Sequence, residues 1–157
     1  MRSDLLRPWL ATAARLLLGG VLVVAGALKL PDPAEAVRAV RAYRLLPEAL
    51  VGPVAFGLPV LEVLVGLALL AGVFVRTAAI ATAVLMVVFL VGVSSAWVRG
   101  LQIDCGCFGG GGEVAAGQTA YPWEVARDTA LLLVALALAR WPHSRLALSN
   151  RLEPVHG

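Results

Sequence analysis

The sequence predicts an all-α integral membrane protein: a four-helix bundle with a short amphipathic surface helix between spans 1 and 2. Of its 157 residues, 60% are hydrophobic and only 15% are charged. Soluble domains carry about a quarter charged residues. The mean hydropathy is +0.87, and four apolar runs approach the ~20 residues that cross a bilayer core. We expect residues 1–157 to form a single membrane domain.

The first predicted span covers residues 10–30. Arg15 and Lys29 lie near its two ends, where long basic side chains can extend to the two interfaces. A basic N-terminal start and the small residues Ala25-Gly26-Ala27 leave a cleaved secretory signal open as an alternative.

A short amphipathic helix is predicted after the first span. Asp32 can cap its start, with Pro33 at the first helical position and Glu35 at the third. Arginines recur on one side every third residue, at Arg38, Arg41 and Arg44. This pattern is typical of a helix on a membrane surface, and Pro47 is expected to end it.

The remaining predicted spans are 50–75, 77–98 and 123–141. The second is interrupted only by Glu62, and the third holds no charge. The fourth begins with charged residues, so it can cross only if that start lies at the interface. Glycines within the spans are expected to allow close helix packing; these are Gly19, Gly20, Gly26, Gly66 and Gly72.

Basic residues indicate the orientation of the chain. With four spans the termini share a side, and that side holds seven of the thirteen basic residues. These are Arg2, Arg7, Arg15, Arg76, Arg140, Arg145 and Arg151. The bias predicts cytoplasmic termini and an extracytoplasmic loop at residues 99–122.

The chain has two cysteines, Cys105 and Cys107, and both lie in that loop. A disulfide between residues spaced C-x-C closes a small ring, so it should be strained and easily reduced. Gly106 between them relaxes the backbone. These are the candidate catalytic residues, and a loop disulfide without turnover is the alternative.

Other ligand classes fit the sequence less well. Zinc needs about four ligands, and the remaining soft candidates, His143 and His156, are predicted on the opposite side of the membrane. We therefore expect no zinc site, although two thiolates alone can hold copper(I). The basic residues form no patch interleaved with aromatics, which disfavours nucleic acid as a partner.

The chain resembles the MauE/DoxX-like group of small four-span membrane proteins associated with redox functions. The strongest match is Cys105-Gly106-Cys107-Phe108-Gly109 after Arg99-Gly100. The weaker ones are Pro59 with Glu62 and Gly66, the pair Arg127-Asp128, Lys29 before Pro31-Asp32-Pro33, and Tyr43 through Pro47. The resemblance spans about Arg15 to Arg140, and the cysteine pair favours the MauE side because many DoxX relatives lack it.

The resemblance implies disulfide formation or electron flow that serves exported proteins. Methylamine-utilisation members are linked to maturation of a disulfide-rich dehydrogenase subunit, and DoxX relatives to quinol oxidation. We therefore expect a thiol-disulfide oxidoreductase of the cell membrane, with lipids and a thioredoxin-like or cysteine-containing exported protein as partners. Electrons would pass to a quinone or to another redox protein.

Several residues could support the cysteines. Arg127 could favour a thiolate, or it could be a structural ion-pair residue that reaches Glu62 or Asp104. Adjacent residues on a helix point about 100° apart, so Arg127 and Asp128 are not expected to satisfy each other fully. Trp97 and Trp123 are candidates for stacking on a quinone.

Two alternatives from other classes remain open. One is a non-catalytic membrane subunit that docks a soluble redox partner. The other is a soft-metal carrier for copper or mercury.

Overall fold

The computed structural model describes residues 2–143 and residue 147, with side chains from residue 7 onward. Within these residues the elements, in chain order, are α1 (Arg2–Lys29), α2 (Pro33–Ala42), α3 (Glu48–Ala71), α4 (Val75–Val98), β1 (Ile103–Asp104), β2 (Gly112–Glu113) and α5 (Tyr121–Arg140). Arg145, Arg151 and His156, which the sequence predictions used, lie outside the described residues. The all-α class is confirmed, with one small hairpin added.

In the part of the chain that the structure describes, three helices are long and apolar enough to cross a membrane: Arg7–Lys29 within α1, and all of α3 and α4. Their outer faces expose large apolar side chains such as Leu17, Leu64 and Val84. α5 is not among the three; its first two turns carry acidic and basic residues. Crossing by α5 therefore stays a prediction.

The boundary between the second and third spans differs from the prediction. α3 ends at Ala71 and not at residue 75, because Gly72 adopts a left-handed conformation with φ +70°. Its N–H and that of Val73 return to the last carbonyls of α3, which is a common glycine-based helix stop. α4 then begins at Val75, two residues before the predicted start.

The short helix α2 begins as predicted and ends earlier. The Asp32 carboxylate accepts a hydrogen bond from the Glu35 N–H at 2.9 Å. The helix ends at Ala42, and Pro47 instead precedes α3. Arg44 lies outside the helix with φ +52°, so the predicted three-arginine stripe is wrong at its last member.

Four helices form the bundle, with α1 packed along α3 and α4 along α5. Three of the five glycines are needed for this packing: a Cβ on Gly19, Gly26 or Gly66 would approach backbone oxygens of the facing helix to 2.6–2.9 Å. Gly20 is different, because a Cβ there would meet nothing within 4 Å. The prediction is confirmed for the first three and wrong for Gly20.

Arg15 extends to the turn between α3 and α4. A Cβ on Gly72, in that turn, would meet its Nη1. Its side chain is only 2% exposed, so neighbouring residues cover it, and its extension to an interface stays a prediction.

One end of the bundle carries the hairpin. There the carboxyl ends of α1 and α4 lie beside the amino ends of α3 and α5, with α2 packed on α3 and against β2. A small apolar cluster supports the hairpin and consists of Ala42, Val93, Ala96, Ile103 and Tyr121. The hairpin that carries the cysteine loop is therefore packed against the end of the bundle.

Candidate functional site

The cysteine loop is held in place by a short antiparallel hairpin. Ile103 pairs with Glu113 and Asp104 with Gly112. From α5, the Tyr121 hydroxyl donates to the Leu101 carbonyl at 2.6 Å. The hairpin and Tyr121 thus hold in place the two ends of the segment that contains both cysteines.

Glycines give the loop a shape that other residues would not adopt. Gly106 has φ +67° and Gly111 has φ +97°. A Cβ at these positions would lie 3.0 Å and 2.6 Å from the Cβ of Ala39 on α2. The positive φ angles and this close approach favour glycine at both positions, and they bring the loop onto α2.

The two cysteines are free thiols in unequal surroundings. Cys105 is half-buried, whereas Cys107 is 8% exposed. The Cys107 N–H donates to the Cys105 sulfur at 3.3 Å. Hydrogen bonding from the Cys107 thiol lowers the pKa of Cys105, with help from that N–H and from Arg127 and against burial and Glu124. The same bond and burial raise the pKa of Cys107.

Arg127 joins the cysteines to α5. Its Nη2 lies 3.9 Å from the Cys105 sulfur, and its guanidinium lies 4.9 Å from the centre of the Phe108 ring. It also forms an ion pair with Asp128 at 2.8 Å. This cation therefore favours a thiolate at Cys105.

The partners proposed for Arg127 from sequence are wrong. Asp104 accepts from the Gly106 N–H at 3.0 Å, and Glu62 bonds to Lys29. Arg127 instead bonds its neighbour, although only through Oδ1 of Asp128. Oδ2 of Asp128 is buried without a hydrogen-bond partner among the described residues, so the expectation of incomplete pairing is confirmed.

Glu62 lies in the bundle interior and is 0% exposed. Lys29 donates to both of its carboxylate oxygens, at 2.8 Å and 2.9 Å. The prediction that Lys29 extends to the interface is therefore wrong: a buried carboxylate in a membrane protein needs a partner, and the end of α1 supplies one.

Glu124 is a site residue that the sequence analysis did not select. It is 5% exposed, and its Oε2 has no hydrogen-bond partner among the described residues. Ligand atoms of Asp104, Cys105 and Glu124 lie within 4.8 Å of one another, so these three could hold a metal ion. The signal was present in the spacing, since residues three and four apart share a helix face and Glu124 precedes Arg127 and Asp128 by those intervals.

Tyr43 is a second residue that sequence reasoning missed. Its hydroxyl donates to the Cys105 carbonyl at 3.0 Å. Burial raises the pKa of Tyr43, with a smaller contribution from the nearby cysteines, so the phenol keeps its proton. Tyr43 follows α2 directly and thereby links that helix to the cysteine loop.

The two tryptophans lie at helix ends. Trp97 stacks on Tyr121, with ring centres 6.1 Å apart, and Trp123 is 69% exposed. Neither ring lines the two cavities beside the cysteines. Their positions are those of interfacial aromatics.

Two cavities border the cysteines. The larger, of about 200 Å³, lies between α2, α3, α4 and the loop, and both cysteines line it. The smaller, of about 20 Å³, is bordered by Glu62, Cys107, Arg127 and Asp128. It has room for about one water molecule, so it brings the buried charges of two helices next to the less exposed thiol.

Known proteins resemble the chain over most of its length. The sequence model of a family described as Methylamine utilisation protein MauE matches residues 7–141. Methylamine utilization protein MauE of Paracoccus denitrificans is 37% identical over 112 residues, which cover 71% of this chain and 60% of that protein. The chain thus matches less than two thirds of the length of this curated relative. No solved structure matches it. The matched range contains every element from α2 to α5 and both cysteines, and the chain belongs to the MauE family.

Proposed function

We propose that this protein is a membrane thiol-disulfide oxidoreductase whose Cys105–Cys107 pair supports disulfide formation or electron transfer for exported proteins. One observation carries the proposal: the half-buried Cys105 sulfur receives a backbone N–H and faces a guanidinium, with the second thiol beside it. Such surroundings favour a nucleophilic thiolate. A structural thiol needs none of these donors.

The reaction is a two-electron exchange. A thiolate of the partner attacks the oxidised C-x-C pair, a mixed disulfide forms, and the partner's second thiolate closes the partner's disulfide. The partner loses two electrons and two protons, and Cys105 and Cys107 become thiols. Exposure distinguishes the two sulfurs: the partner's thiolate attacks Cys105, and the buried Cys107 leaves as a thiol. In the reverse direction the Cys105 thiolate attacks a disulfide of the partner, and Cys107 resolves the mixed disulfide.

The membrane arrangement is part of the proposal. Multi-pass character follows from three apolar helices, and we add α5 as a fourth span. Its 20 residues give a length of about 30 Å, and Leu133 and Leu136 are exposed on its surface. The termini are then cytoplasmic and the loop extracytoplasmic, where thiols can be oxidised. A role in methylamine utilization, the process named for the relative, belongs to the same proposal.

Single cysteine variants test the assignment of roles. Cys107→Ser, mixed with a thioredoxin-like or cysteine-containing exported partner in its oxidised form, should accumulate a mixed disulfide, because Cys105 attacks the partner's disulfide and the thiol that would resolve the adduct is missing. Cys105→Ser should accumulate none. Non-reducing electrophoresis with mass spectrometry of the adduct measures both. Normal oxidation of the partner in both variants would instead support a non-catalytic docking subunit.

The metal alternative has its own observation, the close donors of Asp104, Cys105 and Glu124. A stoichiometric copper signal in the purified protein, lost in either cysteine variant, would favour a carrier. The guanidinium of Arg127 beside the same sulfur opposes a bound cation. This charge favours exchange over metal carriage.

Labelling tests the orientation. A membrane-impermeant thiol reagent added to intact cells after mild reduction should modify Cys105. Modification that appears only after permeabilisation would place the loop in the cytoplasm.

A further inference from the structure

The larger cavity beside the cysteines is apolar along most of its walls. α3 contributes Val54 and Leu58, and α4 contributes Val88 and Phe89. It reaches as far as Pro59, eleven residues into α3, which is about 16 Å along the helix. The cavity therefore extends from the loop end of the bundle well along a helix that we propose to cross the membrane.

The rim of this cavity is apolar and exposed. Leu45, Leu46 and Val88 line it and are 50%, 37% and 56% exposed. Three exposed apolar side chains at a cavity mouth favour entry of an apolar molecule from the bilayer. A water-soluble oxidant would have no affinity for such an entrance.

The inner wall carries the redox pair. Cys105 and Cys107 both line the cavity, together with Gly106. Cys107 is otherwise buried, so the cavity gives an apolar molecule access to a thiol that a folded protein partner reaches poorly. A protein partner can thus reach the half-buried Cys105 from the loop, and an apolar molecule can reach both cysteines from the cavity.

A hydrogen-bond donor also lines the cavity. The Lys29 ammonium has three N–H donors, two of which point at Glu62, and it lies 5.5 Å from the centre of the Phe89 ring. The hydroxyl of Tyr43, which also lines the cavity, donates to the Cys105 carbonyl, so Lys29 is the side chain with a donor to spare. An apolar cavity with such a donor fits a flat ring that bears carbonyl oxygens.

We propose that this cavity binds a lipid-soluble quinone, which accepts the electrons of the reduced Cys105–Cys107 pair. The inference rests on the proposed function and names its electron acceptor. The two thiols lose two electrons and two protons and form an S–S bond, while the two carbonyls of the quinone become hydroxyls. The ring occupies the cavity, and its apolar tail leaves through the rim into the bilayer.

The site differs from the one that the sequence suggested. Trp97 and Trp123 were the predicted stacking residues, and neither lines the cavity. Phe89 and Tyr43 are aromatic residues that do line it. A phospholipid acyl chain is the competing occupant, because it is equally apolar, but it cannot accept electrons.

Binding is tested with a photoreactive azido derivative of decylubiquinone and the full chain in phosphatidylcholine nanodiscs. Gly92 lines the cavity, and a Cβ there would lie 3.5 Å from Tyr43 Cε1, an ordinary contact. Gly92→Leu should place its Cβ without a clash and fill part of the cavity with the rest of its side chain, which lowers specific cross-linking about tenfold; an unchanged melting temperature checks that the variant folds. Val54→Phe, on the facing helix, should do the same.

The matched control is Gly57→Leu. Gly57 is exposed on α3, and a Cβ there would meet nothing within 4 Å. Cross-linking in this variant should equal that of the wild type, and excess decylubiquinone should compete with the probe in both. Equal cross-linking in all variants would overturn the proposal, since the probe would then be reporting partition into the bilayer. Displacement by phospholipid but not by decylubiquinone would also overturn it.

Electron transfer is tested separately. The reduced wild-type protein, mixed anaerobically with decylubiquinone, should reduce one quinone per cysteine pair and gain one disulfide. Cys107→Ser should still be cross-linked and should reduce none. Exchange of the C-x-C pair with a soluble dithiol, measured without quinone, tests the proposed function alone. Normal exchange without quinone binding would overturn only this inference, and quinone binding without exchange would overturn only the proposed function.

Discussion

Among the described residues the bundle contains two buried ion pairs, Lys29–Glu62 and Arg127–Asp128, whose charged groups have different partners. Both oxygens of Glu62 are bonded to Lys29. Asp128 is bonded through one oxygen only, and the guanidinium of its partner also faces a sulfur and an aromatic ring. A complete pair offsets the cost of burying its charges, whereas an incomplete pair leaves polar groups available to a neighbouring thiol.

Removal of one member of the complete pair should have the largest effect on stability. Glu62→Leu leaves the Lys29 ammonium, whose side chain is 9% exposed, without its buried partner. We expect the free energy of unfolding to fall by about 3–5 kcal/mol. Unfolding by denaturant in detergent micelles measures the change.

The double variant Lys29→Met/Glu62→Leu is the control. It removes both charges and keeps apolar volume, so most of the lost stability should return. If the double variant were as unstable as Glu62→Leu, the loss would come from packing around Glu62 and not from an isolated charge.

A second prediction concerns the glycine beside this pair. A Cβ on Gly26 would lie 2.6 Å from the Pro59 carbonyl oxygen and 3.2 Å from Cβ of Glu62. Gly26→Ala should therefore separate α1 from α3 and destabilise the protein by about 1–3 kcal/mol. Gly20→Ala, where a Cβ meets nothing within 4 Å, should be neutral or slightly stabilising. Thermal unfolding of both variants measures the two changes in stability. An equal loss of stability in both would mean that helix packing does not require Gly26.

The contrast also shows what could be predicted from the sequence. The length of an apolar run indicates a helix, so the four long helices were predicted. Their bounds differ from the prediction: α1 begins at Arg2 and not at residue 10, α3 ends before Gly72 and not at residue 75, and α5 begins at Tyr121 and not at residue 123. The cysteine motif and Arg127 were identified because residue type alone suggests their chemistry.

Partner choice could not be predicted in the same way. Whether Lys29 extends outward or bonds Glu62 depends on how α1 and α3 are registered, which no local pattern specifies. The cavity could not be predicted from the sequence either. It is formed by α2, α3, α4 and the loop together, and no single one of these segments indicates it.

The last prediction addresses the incomplete pair through the pKa of Cys105. Hydrogen bonding from Cys107 is the main cause that lowers this pKa; Glu124 acts to raise it and Arg127 to lower it. Arg127→Gln should therefore raise the pKa of Cys105, and Glu124→Gln should lower it further. Since the thiolate is the reactive form, alkylation near neutral pH should be several-fold slower in the first variant and faster in the second. At a pH well above both pKa values the rates should converge.

The controls separate an effect on the thiol from an effect on stability. Each variant is alkylated in a protein that also carries Cys107→Ser, so that Cys105 is the cysteine that reacts; its pKa starts higher there because the Cys107 thiol is gone. Arg127→Gln/Asp128→Asn controls for stability, because it removes both charges of the pair and should still show the raised pKa. A stably folded double variant with an unchanged pH profile would show that Arg127 holds α5 in place and does not act on the thiol.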